Sequence, residues 1–435
     1  MKSLRSLLEA ARDRLLSGFL WNFMSAVATQ GSVLISSIAV ARLLGVDLFG
    51  NYTIVVSTIA MTAAVAQGGS GLVASRYISE FRSAHPERVG RIMRLCRLMT
   101  LLTGTVAAIV LFASAAVLST VFKNPDLEFL FQLGSVATFF QVAVAYQQGA
   151  LQGFGAFREL ARIGLFTGLA QVVCSAVGAA AGDAPGALVG YVLASAIRSV
   201  VFAFALNRVA LPHRSGQDDS LTRDDAKLIF RFALPAALGG LVTLPCLWVV
   251  TVFVSHLPEG AVMVAVFAAA NQIRFAILQL PNLLNTVSLT VLNNLKGMGQ
   301  QSNYRRVFWA NFAVNSLFSL GAAAATALFA DSAMHLYGSS FVRGEVLLLI
   351  LLISVVPETM ATTTYQLVQS AERMWLSLFV IALPRDVLYA ALAFLLVPRY
   401  GVEGAAISYL TAHTLALVST AFVAKASVAR KEVTA

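Results

Sequence analysis

From Leu20 to Ala424 the chain passes through about twelve apolar stretches of roughly 20 residues, separated by short polar connections. At a helical rise of about 1.5 Å per residue, such a stretch is as long as the hydrocarbon layer of a bilayer is thick. A helix also satisfies its own backbone hydrogen bonds, which lipid cannot do for it. Hydrophobic residues make up 58% of the 435 and charged residues 12%, a surplus that a water-soluble core of this size could not hide. The sequence therefore predicts an all-α polytopic membrane protein. Spans are expected near 19–42, 50–73, 97–121, 129–151, 163–182, 186–207, 230–254, 262–286, 307–330, 345–368, 375–397 and 402–424, numbered 1 to 12 below.

A net charge of +10 would in a soluble chain suggest nucleic acid as a partner, but here the position of the charge matters more. With the N-terminus placed inside, 24 of the 31 basic residues fall on one side, among them Arg76, Arg82, Arg88, Arg91, Arg94 and Arg97. Arg42, Lys123, Arg343 and Arg399 fall on the other, and Arg198, Arg274 and Arg385 lie within spans. This is the positive-inside pattern, so both termini are expected to be cytoplasmic and no nucleic-acid partner is expected. Residues 1–18 alternate Leu4, Leu7, Leu8 and Leu15 with basic residues, the spacing of an amphipathic helix resting on anionic headgroups. The apolar run that follows is too long for a signal-peptide core.

The chain also repeats itself. GALVGY begins at Gly186 and GAAISY at Gly404, an offset of 218, while YQQGALQGFGAF from Tyr146 and YQLVQSAERMW from Tyr365 are offset by 219. Two weak matches six spans apart at nearly one offset predict two six-helix repeats. An even number of spans gives both repeats the same orientation, related by an axis along the membrane normal. The expected units are a cytoplasmic N-terminal segment (1–18), an N-lobe (19–207), a charged inter-lobe linker (208–228), a C-lobe (229–424) and a cytoplasmic tail (425–435).

A charge in mid-bilayer costs roughly 2.5–3.5 kcal/mol, so each intramembrane arginine needs a partner or a wet cavity. Arg198 lies about 18 Å below Gly186 at helical rise, and Arg274 and Arg385 fall near the middles of spans 8 and 11. Glu358 and Asp386 are candidate counter-charges, although Asp386 follows Arg385 directly and adjacent helical positions point about 100° apart. Each arginine alone could be a static ion pair; the three together predict a cationic cavity for an anionic cargo. Amides and hydroxyls recur in the spans, including Gln30, Gln141, Gln147, Gln148, Asn285, Thr363 and Gln366. Asn271, Gln272, Gln279 and Asn282 predict a polar stripe on span 8. Pro235, Pro245, Pro281, Pro357 and Pro384 interrupt spans 7, 8, 10 and 11 as bending points.

Motifs for catalysis are scarce. The chain has no G-x-x-x-x-G-K-[ST] loop for ATP. GGSG (Gly68 to Gly71) fits a short intramembrane serine-protease pattern, but twelve spans are too many for that fold, and the acidic run from Asp218 to Asp225 reads as a solvated linker. Cys96, Cys174 and Cys246 are widely spaced packing residues rather than a disulfide or metal set, and no metal or other cofactor is expected.

ARLLGVDLFGNYTIV (Ala41 to Val55) resembles the Ala-Arg-x-Leu-Gly and Phe-Gly-x-Tyr signature of the polysaccharide and O-antigen flippases of the multidrug/oligosaccharidyl-lipid/polysaccharide exporter superfamily. RYISEF (Arg76 to Phe81), RFALP (Arg231 to Pro235), LYGSSF (Leu336 to Phe341) and PRYGVEGAA (Pro398 to Ala406) are similar too, in order along the whole chain. The resemblance implies two six-helix lobes in a V around a central cavity. It also implies translocation, not an enzymatic reaction, of an undecaprenyl-pyrophosphate-linked oligosaccharide across the bacterial inner membrane for cell-surface polysaccharide. The bilayer and that lipid-linked glycan are the expected partners, with polymerase and export machinery as further candidates. In this reading Arg198, Arg274 and Arg385 hold the anionic headgroup, Gln30, Asn271, Gln272 and Gln279 contact sugar, and Glu358 and Asp386 are candidate coupling carboxylates. The rivals are a peptidoglycan-precursor flippase, a drug or cation antiporter of the same superfamily, and a membrane glycan polymerase or ligase. An antiporter would need an anionic site, yet no Asp or Glu lies between Phe19 and Ala41 or between Phe230 and Ser255.

Overall fold

The computed structural model describes residues 2–84, 86–211, 242–371 and 374–432, and among these the regular structure is helical throughout. Eight helices are long and apolar enough to cross a bilayer: Thr29–Gln67, Arg88–Ala113, Leu127–Gly153, Phe157–Ala210, Gly260–Gly297, Gln301–Leu328, Ser339–Ser370 and Trp375–Lys425. Three of them are broken hairpins that hold two spans each, with non-helical backbone at Gly45, at Gly182 and Asp183, and at Gly401. The shorter apolar helix Val242–Ser255 supplies span 7, which brings the described residues to the expected twelve. The chain is an all-α membrane protein of two six-helix lobes. Most of the expected linker, together with Pro235 and the RFALP segment, lies outside the described residues, as do the side chains of residues 1–18.

The hairpins sit at the end of the bundle away from most of the basic residues, where the chain must reverse within one or two residues. Asp183 has φ 52° and ψ −142°, and Gly401, 218 residues later, has φ 62° and ψ −146°. Equivalent positions of the two repeats thus make the same turn. Beside each turn the next helix packs with no room for a side chain: a Cβ at Gly186 would strike the Gly178 carbonyl, and one at Gly404 the Leu396 carbonyl, again 218 apart. The left-handed conformation suits glycine and strains other residues by roughly 1–3 kcal/mol. Asp183 accepts that strain while its exposed side chain makes no hydrogen bond to the described residues. Asp183→Gly is therefore expected to stabilise the protein by about 1 kcal/mol, read as a higher unfolding temperature in detergent.

Large apolar side chains point outward all round the bundle, with Leu102, Phe204, Leu317 and Phe422 each about 70% exposed, which suits lipid rather than water. Inside, the buried residues divide by depth. One cluster at the end opposite the basic residues includes both lobes, from Val40, Phe49 and Leu127 in the first to Val264, Phe341 and Tyr409 in the second. Toward the basic end the clusters separate: Val73, Ile92, Leu151 and Phe202 pack within the N-lobe, and Val368, Ile381 and Val423 within the C-lobe. The lobes meet at one end and part toward the other.

Polar contacts seal the closed end. Arg42 donates from Nε to the Leu336 carbonyl at 2.7 Å and from Nη2 to the His335 carbonyl at 3.3 Å. His256 Nε2 donates to the Val121 carbonyl at 2.8 Å, and Trp248 Nε1 to Thr58 Oγ1 at 2.9 Å. Phe49 packs on Tyr337 and Phe341 with ring centroids 6.3 and 5.8 Å away. Gly50 lies so close to the Ala261 backbone that a Cβ would run into its carbonyl.

Candidate functional site

Below that seal, spans 1, 2, 4, 5 and 6 surround a cavity of about 460 Å³ whose remaining wall is Ala268 and Gln272 of span 8. Helical periodicity builds the lining. Gln141, Val144, Ala145 and Gln148 share one face of span 4, and Tyr191, Ser195 and Arg198 recur at one-turn steps on span 6. Gln141 donates its amide to the Tyr191 hydroxyl, and the Tyr52 and Tyr191 rings meet edge to face at 6.3 Å. Ser36, Ser37, Ser57 and Gln171 add further hydroxyls and an amide between apolar residues such as Val33, Val56 and Val144, and no carboxylate is among the described lining residues.

Arg198 is the only charged residue among the described residues of this wall. Its buried Nε has no hydrogen-bond partner, and its guanidinium lies 5.8 Å from the Phe202 ring centroid. No described carboxylate pairs with it. A cation that has been drawn from water without a counter-ion is costly, and an anion in the cavity would relieve that cost.

The other two intramembrane arginines are arranged differently. Arg274 is 1% exposed and donates from Nη1 to Glu358 Oε2 at 2.5 Å and from Nε to Asn271 Oδ1 at 3.2 Å. Its guanidinium also rests over the Tyr409 ring, 4.1 Å from the centroid. Arg385 binds Asp386 at 2.7 Å, and Thr243 donates its hydroxyl to the other Asp386 oxygen at 2.5 Å. Adjacent positions do point apart, but the long arginine stem reaches across the difference, so the pair that the helix geometry disfavoured forms nonetheless. Glu358, Arg385 and His413 line a smaller cavity of about 270 Å³ between spans 10, 11 and 12. His413 stacks on Tyr409 at 3.9 Å, and its Nδ1 donates to the Tyr409 carbonyl at 3.0 Å.

The structure thus does not gather the three arginines on one wall. Arg198 and Gln272 line the central cavity, Arg274 is engaged with both Asn271 and Glu358, and Arg385 opens onto the C-lobe cavity. Gln30 and Gln279 are half-buried and line neither. Farther along span 8, Asn285 Oδ1 accepts from Asn311, Asn315 and Thr363, and Gln366 donates to its carbonyl, which makes this amide an interhelix tie. Tyr52, Tyr191, Gln171 and Ser195 were not legible as site residues. Tyr191 carried a signal all the same, since the repeat places Tyr409 at the matching position beside Arg274. The charges do not follow the repeat: the counterparts of Arg198 and Arg274 at the same offset are Ala416 and Val56.

Among solved structures, the chain is similar to the inward-facing conformation of a multidrug resistance MATE family transporter of the MOP superfamily, with a TM-score of 0.79 and 17% identity over 94% of this chain and 96% of that one. An outward-facing conformation of such a transporter gives 0.71 at 17% identity, covering 96% of each. A MOP superfamily transporter from Pyrococcus furiosus, whose description reports a binding pocket of reverse polarity, also gives 0.71, at 16% identity over 96% of this chain and 95% of that one. These likenesses show the fold: two lobes of six helices. No curated protein matches the chain by sequence. Residues 15–292, more than half of the chain, match the family described as polysaccharide biosynthesis protein, and the chain therefore belongs to that family.

Proposed function

We propose that this protein is a flippase that carries an undecaprenyl-pyrophosphate-linked oligosaccharide from the cytoplasmic to the outer leaflet of the bacterial inner membrane, for cell-surface polysaccharide. The observation that carries this reading is Arg198, a cation without a described carboxylate partner on a cavity wall that mixes amides, hydroxyls and tyrosines with apolar side chains. A pyrophosphate would supply the missing counter-charge, and the amides and hydroxyls suit sugar hydroxyls. Arg385 and Gln272 are further contacts from the C-lobe, and Arg274 acts by holding Glu358 and Tyr409 in place. The polyprenyl tail stays in lipid, so only the polar head enters the passage.

In this reading both termini and the linker (208–228) are cytoplasmic by the positive-inside distribution, and the lobes (19–207 and 229–424) part on the cytoplasmic side. Export requires the Arg42, Trp248 and His256 contacts to break while the parted ends close, which is alternating access around a fixed site. Glu358 and Asp386 are the candidate coupling carboxylates; protonating either weakens its arginine pair and frees a cation. Without a nucleotide-binding loop, the driving force in this reading is an ion gradient, the membrane potential or mass action. An antiporter of cationic drugs fits less well, because the central cavity presents an arginine and no carboxylate.

The test is Arg198→Gln in a strain that lacks the chromosomal copy. Export is expected to fall by about tenfold to a hundredfold, the size of one or two charge-assisted hydrogen bonds, with lipid-linked units accumulating on the cytoplasmic face and the protein still inserted. Undiminished export would remove Arg198 from the cargo site. A change in polymer length alone would favour a polymerase or ligase.

A further inference from the structure

Spans 4 and 6 are polar on a second face as well. Gln147 on span 4 and Ser199 on span 6 face away from the central cavity, into a separate cavity of about 590 Å³ that Arg94, Arg97 and Thr100 of span 3 close on its third side. Gln147 is 8% exposed and Thr100 3%, yet Gln147 Oε1 and Thr100 Oγ1 have no hydrogen-bond partner. Arg97 has no ion pair among the described residues. Buried polar atoms of this kind are ordinarily satisfied, so two beside a pair of guanidiniums point to a ligand that completes them.

The cavity also has an apolar side. Arg94 and Leu101 are seven positions apart on span 3, about 10 Å of rise, and Leu101 and Phe139 lie on the lining toward mid-membrane. Leu101 is 40% exposed and faces outward. Positive charge at the level of the headgroups, hydroxyl and amide groups just beneath, and a hydrophobic flank deeper still follow the order of groups along a phospholipid. A free anion from water would gain nothing from the hydrophobic flank. The cargo of the central cavity is separated from this one by spans 4 and 6 themselves.

We infer that this cavity binds the headgroup of an anionic, hydroxyl-bearing phospholipid from the leaflet at the basic end, with Arg94 and Arg97 on the phosphate, Thr100 donating its hydroxyl to it and Gln147 Oε1 accepting from a headgroup hydroxyl. The bound lipid ties span 3 to spans 4 and 6 and so steadies the N-lobe wall that carries Arg198. The inference does not depend on the identity of the cargo.

Native mass spectrometry of the purified full chain in detergent tests it, with dioleoyl phosphatidylglycerol, dioleoyl phosphatidylcholine and inorganic phosphate as separate probes. The wild-type chain is expected to retain phosphatidylglycerol about tenfold more tightly than the double variant Arg97→Gln, Gln147→Leu, with Arg97→Lys intermediate. Arg198→Gln is expected to bind this lipid as the wild type does, and its retention separates this site from the central cavity. Matching helicity and melting of the double variant and wild type make the comparison one of binding; where the double variant melts early, Arg97→Lys against wild type carries the comparison. Equal retention of phosphatidylglycerol across the Arg97 variants, equal retention of phosphatidylcholine, or displacement of the lipid by inorganic phosphate at equal concentration would each overturn the assignment. A loss in Arg198→Gln as large as that in the double variant would instead place the lipid in the central cavity.

Discussion

Replacing Arg274 with glutamine is expected to cost the folded protein roughly 3–5 kcal/mol, the penalty for leaving one member of a buried ion pair without its partner. Glu358 would lose a 2.5 Å contact, and Tyr409 would lose the cation resting on its ring. Glu358→Gln should be similarly damaging because it strands Arg274, whose side chain is 2% exposed. The double variant Arg274→Gln, Glu358→Gln should recover much of the loss, since it removes both charges together and leaves amides that can bond each other. Thermal unfolding of the purified variants in one detergent measures this directly. Arg198→Gln provides the contrast: with no carboxylate to strand, it should melt no lower than the wild type while export fails. If Arg274→Gln melted like the wild type and Arg198→Gln melted early, the roles assigned to the two arginines would be reversed.

Gly50→Val is expected to force the lobes apart at the closed end. The new side chain has no space beside the Ala261 carbonyl, and Phe49 beside it is packed against Tyr337 and Phe341 of the other lobe. Overpacking of this kind costs roughly 1–3 kcal/mol, and because the cost falls on the closed arrangement it should shift the closed-to-open ratio by about 5- to 150-fold. Distances between spin labels at exposed Lys123 on the N-lobe and Arg343 on the C-lobe would report the shift. Export should fall even though no cargo contact has been altered, because a passage that cannot close at this end cannot alternate. An unchanged distance distribution would mean that Gly50 does not set the approach of the lobes.

Two residues show where local reading ends. Asp183 and Gly401 make the same turn 218 residues apart, and that equivalence could be anticipated from the Gly-Ala-x-x-x-Tyr repeat that follows each of them. Gln147 and Gln148 are neighbours in sequence and indistinguishable by type, yet Gln148 lines the central cavity and Gln147 the cavity behind it. Nothing in a single span says how that span is rotated in the bundle. The span 8 stripe met the same difficulty: Asn271 turns to Arg274, Gln272 to the N-lobe, and Gln279 lines neither cavity.

Number and length of spans, the asymmetry of charge between the two ends, and the doubling of a six-helix unit were all determined by the sequence alone, because each depends on residues close together in the chain or on the thickness of a bilayer. Which arginine stands alone was decided only by the tertiary structure. Arg274 meets Glu358 across 84 positions and two different spans, whereas Arg198 meets no carboxylate, and a buried charge takes its character from what the packing of distant helices brings within a few ångströms.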